Sequence, residues 1–320
     1  MNRILLFAFA LFSLTSLAQE SILNSGSWHH FATENDGVHR LNYEQLVDLG
    51  ILTSPVSSDA ISIFSNGPGM LPEENWIDRP FDLNEIPIAV KDQGDGILGT
   101  GDFLLFYGAD QTTWQYNPDQ DRFAHETHLY ESQTHYFLSL ENGEGLRIEN
   151  TDAVVSPVTL DANTYHEYSL HEVDIHNYQQ SGKNWYGEEF DDALPLSFSF
   201  PFSNVVPGAP AKCLVDLVSR SYGTGNTNEF IVNAEGVSSS FEVINISSNY
   251  LNDVVRAANH EVIFEPQDDN IEVTVTMNPF NDGSAARMNF ITVQAECELK
   301  KESGEQLDFR NTSGFGENGA

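Results

Sequence analysis

Eleven residues, Asp92-Gln-Gly-Asp95-Gly96-Ile-Leu-Gly-Thr-Gly-Asp102, put three carboxylates and four glycines into one connection. Oxygen ligands spaced along a glycine-containing loop are how calcium is held, so Asp92, Asp95 and Asp102 are candidate calcium ligands. If Asp95 and Gly96 take the fifth and sixth positions of a twelve-residue calcium loop, Asp102 falls at the twelfth but Lys91 at the first, where its ammonium repels the metal. The competing expectation, and the one we favour, is a wide hairpin connection in which the glycines supply positive φ angles.

Ten histidines invite a zinc reading, above all His125-Glu-Thr-His128 and the series His166, His171, His176. The first pair is three residues apart, not the four that bring two imidazoles beside a catalytic Glu on a helix. The series repeats every five residues, which alternates faces on a strand, so exposed polar histidines are expected. Trp114, Tyr116, Trp185 and Tyr186 are of the type that stacks on sugars, but packing in a β domain employs the same residues and is the expectation here. No Gly-x-Ser-x-Gly nucleophile elbow and no glycine-rich phosphate loop occurs. The two cysteines, Cys213 and Cys297, sit on alternating apolar faces, with Val215 and Leu217 and with Ile291, Val293 and Ala295. A disulfide and two buried thiols are both open readings. A catalytic role does not fit, because a thiolate needs an accessible, electropositive setting.

The chain that must position these groups has 320 residues, enough for about two domains. Forty-eight acidic residues against 14 basic ones give a net charge of −34, and the basic residues are scattered apart from Lys300 and Lys301. That balance excludes a phosphate-tracking nucleic-acid binder, whose affinity comes from clustered cations. Residues 1–18 read as a signal peptide: Arg3, an apolar run from Ile4 to Phe12, then Ser16 and Ala18 before a cut at Gln19. Export to the periplasm, outer membrane or cell surface follows as an expectation.

One short helix is expected, capped by Asn42, burying Tyr43, Leu46 and Val47, and stopped by Gly50. Otherwise the pattern is strands and turns: Ile61–Phe64, Ile86–Val90, Phe103–Tyr107 and His135–Leu140, then Leu196–Phe200, Cys213–Ser221, Glu229–Ala234, Phe241–Ile246, Glu261–Phe264, Ile271–Met277 and Met288–Leu299. The fold class is mainly β, with a first domain over 19–155 carrying the helix and a jelly-roll-like antiparallel sandwich over 156–302. Residues 303–320 read as a linker or truncated end. The last two strands, joined through Asp282-Gly283, are expected to form an antiparallel hairpin.

Several ordered motifs resemble the amino-terminal region of the PorU family. They are Gly37-Val-His-Arg-Leu41 with Tyr43-Glu-Gln-Leu46, Ile61 to Glu73, Asp82-Leu-Asn-Glu-Ile-Pro-Ile88, Asp92 to Gly108, Tyr136-Phe-Leu138, Ser181-Gly-Lys-Asn-Trp-Tyr-Gly-Glu188 with Phe190, Ala285 to Val293, and Leu307-Asp-Phe-Arg310. The resemblance implies the non-catalytic amino-terminal scaffold of a type IX secretion system sortase. In that family a gingipain-type cysteine peptidase domain removes carboxy-terminal sorting signals and attaches cargo to the cell surface. It implies as partners a downstream peptidase domain, a PorV-type outer-membrane barrel and secreted cargo. The chain has no His-Gly pair of the kind such a peptidase requires, so no catalytic residue is carried over. The alternative is a stand-alone surface carbohydrate-binding or adhesion β-sandwich protein.

Overall fold

The computed structural model describes residues 20–150, 162–180, 182–191, 194–223, 225, 227–246, 253–301, 304 and 306–312. The expected signal peptide, the expected domain boundary at residues 155 and 156, and residues 313–320 of the expected linker lie outside them. The strands in chain order are β1 (His29–Thr33), β2 (Gly37–Asn42), β3 (Val56–Ser57), β4 (Ser62–Ser65), β5 (Asn84–Ile86), β6 (Ala89–Lys91), β7 (Ile97–Leu98), β8 (Phe103–Gly108), β9 (Thr113–Asn117), β10 (Arg122–Glu126) and β11 (Thr134–Ser139). They continue with β12 (Thr164–Glu172), β13 (Leu196–Pro201), β14 (Ala211–Arg220), β15 (Thr227–Ala234), β16 (Val237–Ile244), β17 (Arg256–Phe264), β18 (Asn270–Asn278) and β19 (Ala285–Glu298). The helix α1 spans Tyr43–Asp48.

Two units emerge, one of Met1–Gln111 and Glu131–Thr151, the other of Thr112–Tyr130 and Asp152–Ala320. The first contains sheets ordered β1-β11-β4-β5, β2-β8-β6 and β3-β7. Its core gathers Leu46 of α1 with Ile63, Ile88, Leu104, Phe106 and Leu138. Helix α1 is entered as expected: the Asn42 N–H donates to Gln45 Oε1 at 2.9 Å, and Gly50 ends it at φ 72°. Val47 of the expected buried face is 36% exposed, because so short a helix buries only one side of a turn. The expected strand Ile86–Val90 is interrupted at Pro87, which has no N–H to give a ladder.

The second unit is an eight-stranded jelly roll. One sheet is ordered β12-β19-β14-β17 and the other β13-β18-β15-β16, with every pairing antiparallel. Consecutive strands swap sheets except for β15 and β16, and this crossing pattern closes two Greek keys around one core. Phe230, Leu217, Ile271, Met277 and Ile291 are fully buried there. This is the expected mainly-β class with a jelly-roll sandwich, but the expected hairpin of the last two strands is corrected. β18 pairs with β13 and β15, while β19 pairs with β12 and β14 in the opposite sheet. The reason is local: neither Asp282 nor Gly283 has the positive φ that a type I′ hairpin turn needs. The chain has such a turn at Glu235 and Gly236, with φ of 48° and 82°, joining β15 to β16.

Both thiols are free and fully buried. Cys213 pairs across the sheet with Val293, four residues before Cys297 on β19. That separation is roughly 13 Å at about 3.3 Å per strand residue, too far for a disulfide that needs Cα atoms about 4.4–6.8 Å apart. Burial first, then nearby carboxylates, push each thiol up to about 12, so neither forms a nucleophilic thiolate near neutral pH.

Candidate functional site

The outer face of the sheet β12-β19-β14-β17 carries polar side chains that must be covered or solvated, and two segments cover it. The first is the β9–β10 hairpin, which falls within the 19–155 interval expected to form the first domain yet packs on the sandwich. Its Phe123 backbone exchanges two hydrogen bonds with the Gln294 amide, at 2.8 and 2.7 Å, an imitation of strand pairing by a side chain. Trp114 stacks on Tyr168 with ring centroids 3.9 Å apart, and Lys212 pairs with Asp121 at 2.9 Å. His125 meets Glu172 Oε2 at 3.1 Å, and Thr127 donates to the same oxygen at 2.6 Å. Burial raises the Glu172 carboxyl, but the bonds from His125 and Thr127 and the His125 charge outweigh it and hold the group below its ordinary range.

The second cover is the connection from β12 to β13. Tyr186 returns antiparallel to His176, with backbone bonds of 2.8 and 2.9 Å. Residues 187–190 then run along the start of β19: Gly187 N–H donates to the Met288 carbonyl at 2.7 Å and Phe190 N–H to the Ala286 carbonyl at 3.1 Å. A Cβ at Gly187 would sit 2.9 Å from the Val173 carbonyl, so only glycine fits there without a shift. Arg287 fastens this stretch, donating to the Gly187 carbonyl at 3.0 Å and pairing with Glu189.

Between this connection and the start of β17 lies a cleft of about 410 Å³. Tyr178, Lys183, Asn184 and Tyr186 line one side, and Asp253 and Arg256 the other. Asn177 sets the loop: its Oδ1 accepts from Gln179 N–H at 3.0 Å and its Nδ2 donates to the Gly182 carbonyl at 3.4 Å. Arg220 lies against the Tyr178 ring, 5.5 Å from guanidinium carbon to centroid, and 6.0 Å from that of Tyr222. Its Nε is buried and has no hydrogen-bond partner among the described residues. Burial raises the phenols of Tyr178 and Tyr186; Arg287 and Arg220 oppose this at Tyr178, whereas Asp216 adds to it at Tyr186.

The sequence-derived candidates land in three different settings. Asp92 accepts from Ser58 Oγ at 2.6 Å and Gly94 N–H at 3.1 Å, Asp95 from Ile97 N–H at 2.9 Å, and buried Asp102 from Gly99 N–H at 2.8 Å and Gln93 Nε2 at 3.0 Å. These bonds, the Ser58 one foremost, hold the Asp92 carboxyl below its usual range. Gly94, Gly96 and Gly101 all have positive φ, as the connection reading requires. Among the described residues no three His, Cys, Asp or Glu side chains gather to hold a metal. Of the five histidines singled out in the sequence, two meet carboxylates, His125 as above and His171 at 2.9 Å from Glu188, and His166 Nδ1 lies 3.3 Å from Thr312 Oγ1. Trp114 packs, whereas Trp185 remains 45% exposed and Tyr186 lines the cleft. Arg220 and Arg256 carried no spacing signal; the places where the few cations fall in the fold would have pointed to both.

No family model matches the chain, and no curated protein matches it. Among solved structures, dimeric latent PorU from Porphyromonas gingivalis is similar at 23% identity and a TM-score of 0.73, over 92% of this chain and 26% of that one. The chain thus spans about a quarter of that protein, and the likeness shows a PorU-like fold. A β-porphyranase of glycoside hydrolase family 86 from Bacteroides plebeius matches at 10% identity and a TM-score of 0.27, over 87% of this chain and 36% of its own. The isomalto-dextranase of Arthrobacter globiformis T6 matches at 10% and 0.24, over 75% and 36%. At those scores neither bears on fold or function.

Proposed function

We propose that this chain is the non-catalytic amino-terminal scaffold region of a PorU-type sortase of the type IX secretion system, exported and acting at the cell envelope. The observation that carries the reading is the PorU-like fold over 92% of the chain. The ordered motifs support it through their structural uses. Tyr186 to Glu188 builds the cover on β19, and Leu307 to Arg310 lies along β12, where the His166 N–H donates to the Arg310 carbonyl at 2.8 Å. Peptidase chemistry is left to a separate gingipain-type domain, because both thiols here are buried in an apolar core. In this role the jelly roll positions or restrains that domain and contacts a PorV-type barrel and cargo.

The test is capture of a gingipain-type peptidase domain on the immobilised chain, together with an assay on a sorting-signal peptide. Capture without cleavage by the chain alone is expected. Cleavage that is lost in Cys213→Ala or Cys297→Ala would overturn the assignment, as would failure to retain the peptidase domain.

A further inference from the structure

We propose that the cleft beside Tyr178 and Tyr186 binds a short saccharide bearing a carboxylate. This goes beyond the scaffold reading and does not depend on it. The chain has only 14 basic residues against 48 acidic ones, yet Lys183 and Arg256 both line this one cleft and Arg220 backs its Tyr178 wall. Asp253 is the single carboxylate among the described lining residues. Among the described residues neither Arg220 nor Arg256 has an ion-pair partner. By contrast, Lys212 is closed by Asp121, Arg122 by Glu261 and Arg287 by Glu189. Unclosed guanidinium groups in a molecule of charge −34 select an anion, and a planar guanidinium matches a carboxylate in two-point geometry.

The remaining wall chemistry selects what carries the anion. Tyr178 and Tyr186 line the cleft with ring centroids 5.9 Å apart, offering flat apolar faces to sugar C–H groups. Asn184 and Gln179 present amides, which donate to and accept from hydroxyls. A volume of 410 Å³ lies in the lower part of the roughly 300–1,000 Å³ range of small-molecule sites. The overall negative field repels a long polyanion, so the ligand is a short oligosaccharide or a terminal uronate.

Titration calorimetry of the whole chain with digalacturonic acid, the neutral digalactose of the same linkage, and trialanine tests this. Saturable binding of the acidic sugar is expected, at least tenfold tighter than the neutral one. Arg256→Gln, a change at an exposed side chain, should weaken the acidic sugar tenfold or more and leave the neutral one unchanged, with circular dichroism confirming the fold; Lys183→Gln is the second variant. The proposal fails if neither sugar binds at about 10 mM, if the two bind equally, if both variants bind like the parent, or if trialanine binds more tightly than the acidic sugar.

Discussion

On the inner face of the sheet β12-β19-β14-β17, Cys213, Val215, Leu217, Ile291 and Val293 belong to one apolar cluster. On the outer face of the same strands, Lys212, Asp216 and Gln294 each engage a named polar partner. Inner contacts are non-directional and scale with buried area. Outer contacts are directional, so each depends on one donor meeting one acceptor. The outer layer can therefore open locally while the sandwich stays folded, which is where low-stability, ligand-accessible elements are expected.

Phe230→Ala tests the inner side and carries the largest expected effect. Phe230 is fully buried between Phe190 and Phe241, with ring centroids 5.4 Å from each. Its truncation should cost about 3–5 kcal/mol, a large part of a domain's stability, read as a fall in the denaturant midpoint of the whole unit. Phe123→Ala removes a comparable ring from the hairpin. Its global cost should be smaller, about 1–2 kcal/mol, because the loss is capped by the energy of detaching the hairpin. Hydrogen exchange should accelerate in 113–126 and stay slow in β14 and β19. An equal loss of protection in both places would mean that the two faces are one cooperative structure.

The legibility of the two faces differed for the same reason. Alternation with period two put Ile271, Val273, Val275 and Met277 on one face without reference to any partner strand, so the sandwich strands could be read from sequence. The hairpin could not be assigned to its unit, because Gln294 lies 171 residues from Phe123 and nothing local announces an amide that imitates a strand. Asp282-Gly283 misled by composition, whereas Glu235-Gly236 performed the turn that Asp-Gly was expected to make. The cleft was half legible. Its wall of Lys183, Asn184 and Tyr186 lies in a stretch that stood out as a motif, but Arg256 joins it only through the pairing of β17 with β14.

Titration sharpens the comparison further. Glu172 has a depressed folded-state value, so its contribution is fully present above the ordinary 4.5 and is lost as pH falls through the lower folded value. Protection of the hairpin in hydrogen exchange should decline over that acid window, while that of the inner core holds. In Glu172→Gln the hairpin should be less protected already at neutral pH and show a flatter acid dependence. An unchanged profile would remove Glu172 from the contact that holds His125 and Thr127.

The smallest expected effect has the opposite sign. Asp216 sits on the outer face beside the β14/β19 bulge, where Asn289 Nδ2 donates to its Oδ1 at 3.0 Å. Burial raises its carboxyl above the ordinary 3.8, against the bonds from Asn289 and Asn259 and the nearby His125 charge, and Glu172 adds to the rise. A raised folded value means that ionisation costs the folded state more than the unfolded one. The penalty grows as pH climbs from 3.8 through the folded value and is constant above it. Asp216→Asn keeps an acceptor for Asn289 and removes the charge, so the melting temperature near pH 7 should rise by on the order of 1–2 °C. Below pH 3.8 the parent carboxyl is itself protonated, and the two proteins should melt together. A variant that melts lower at pH 7 would show that the Asp216 charge supports the outer layer, and the division between a directional cover and a charge-indifferent core would then have to be redrawn at the bulge.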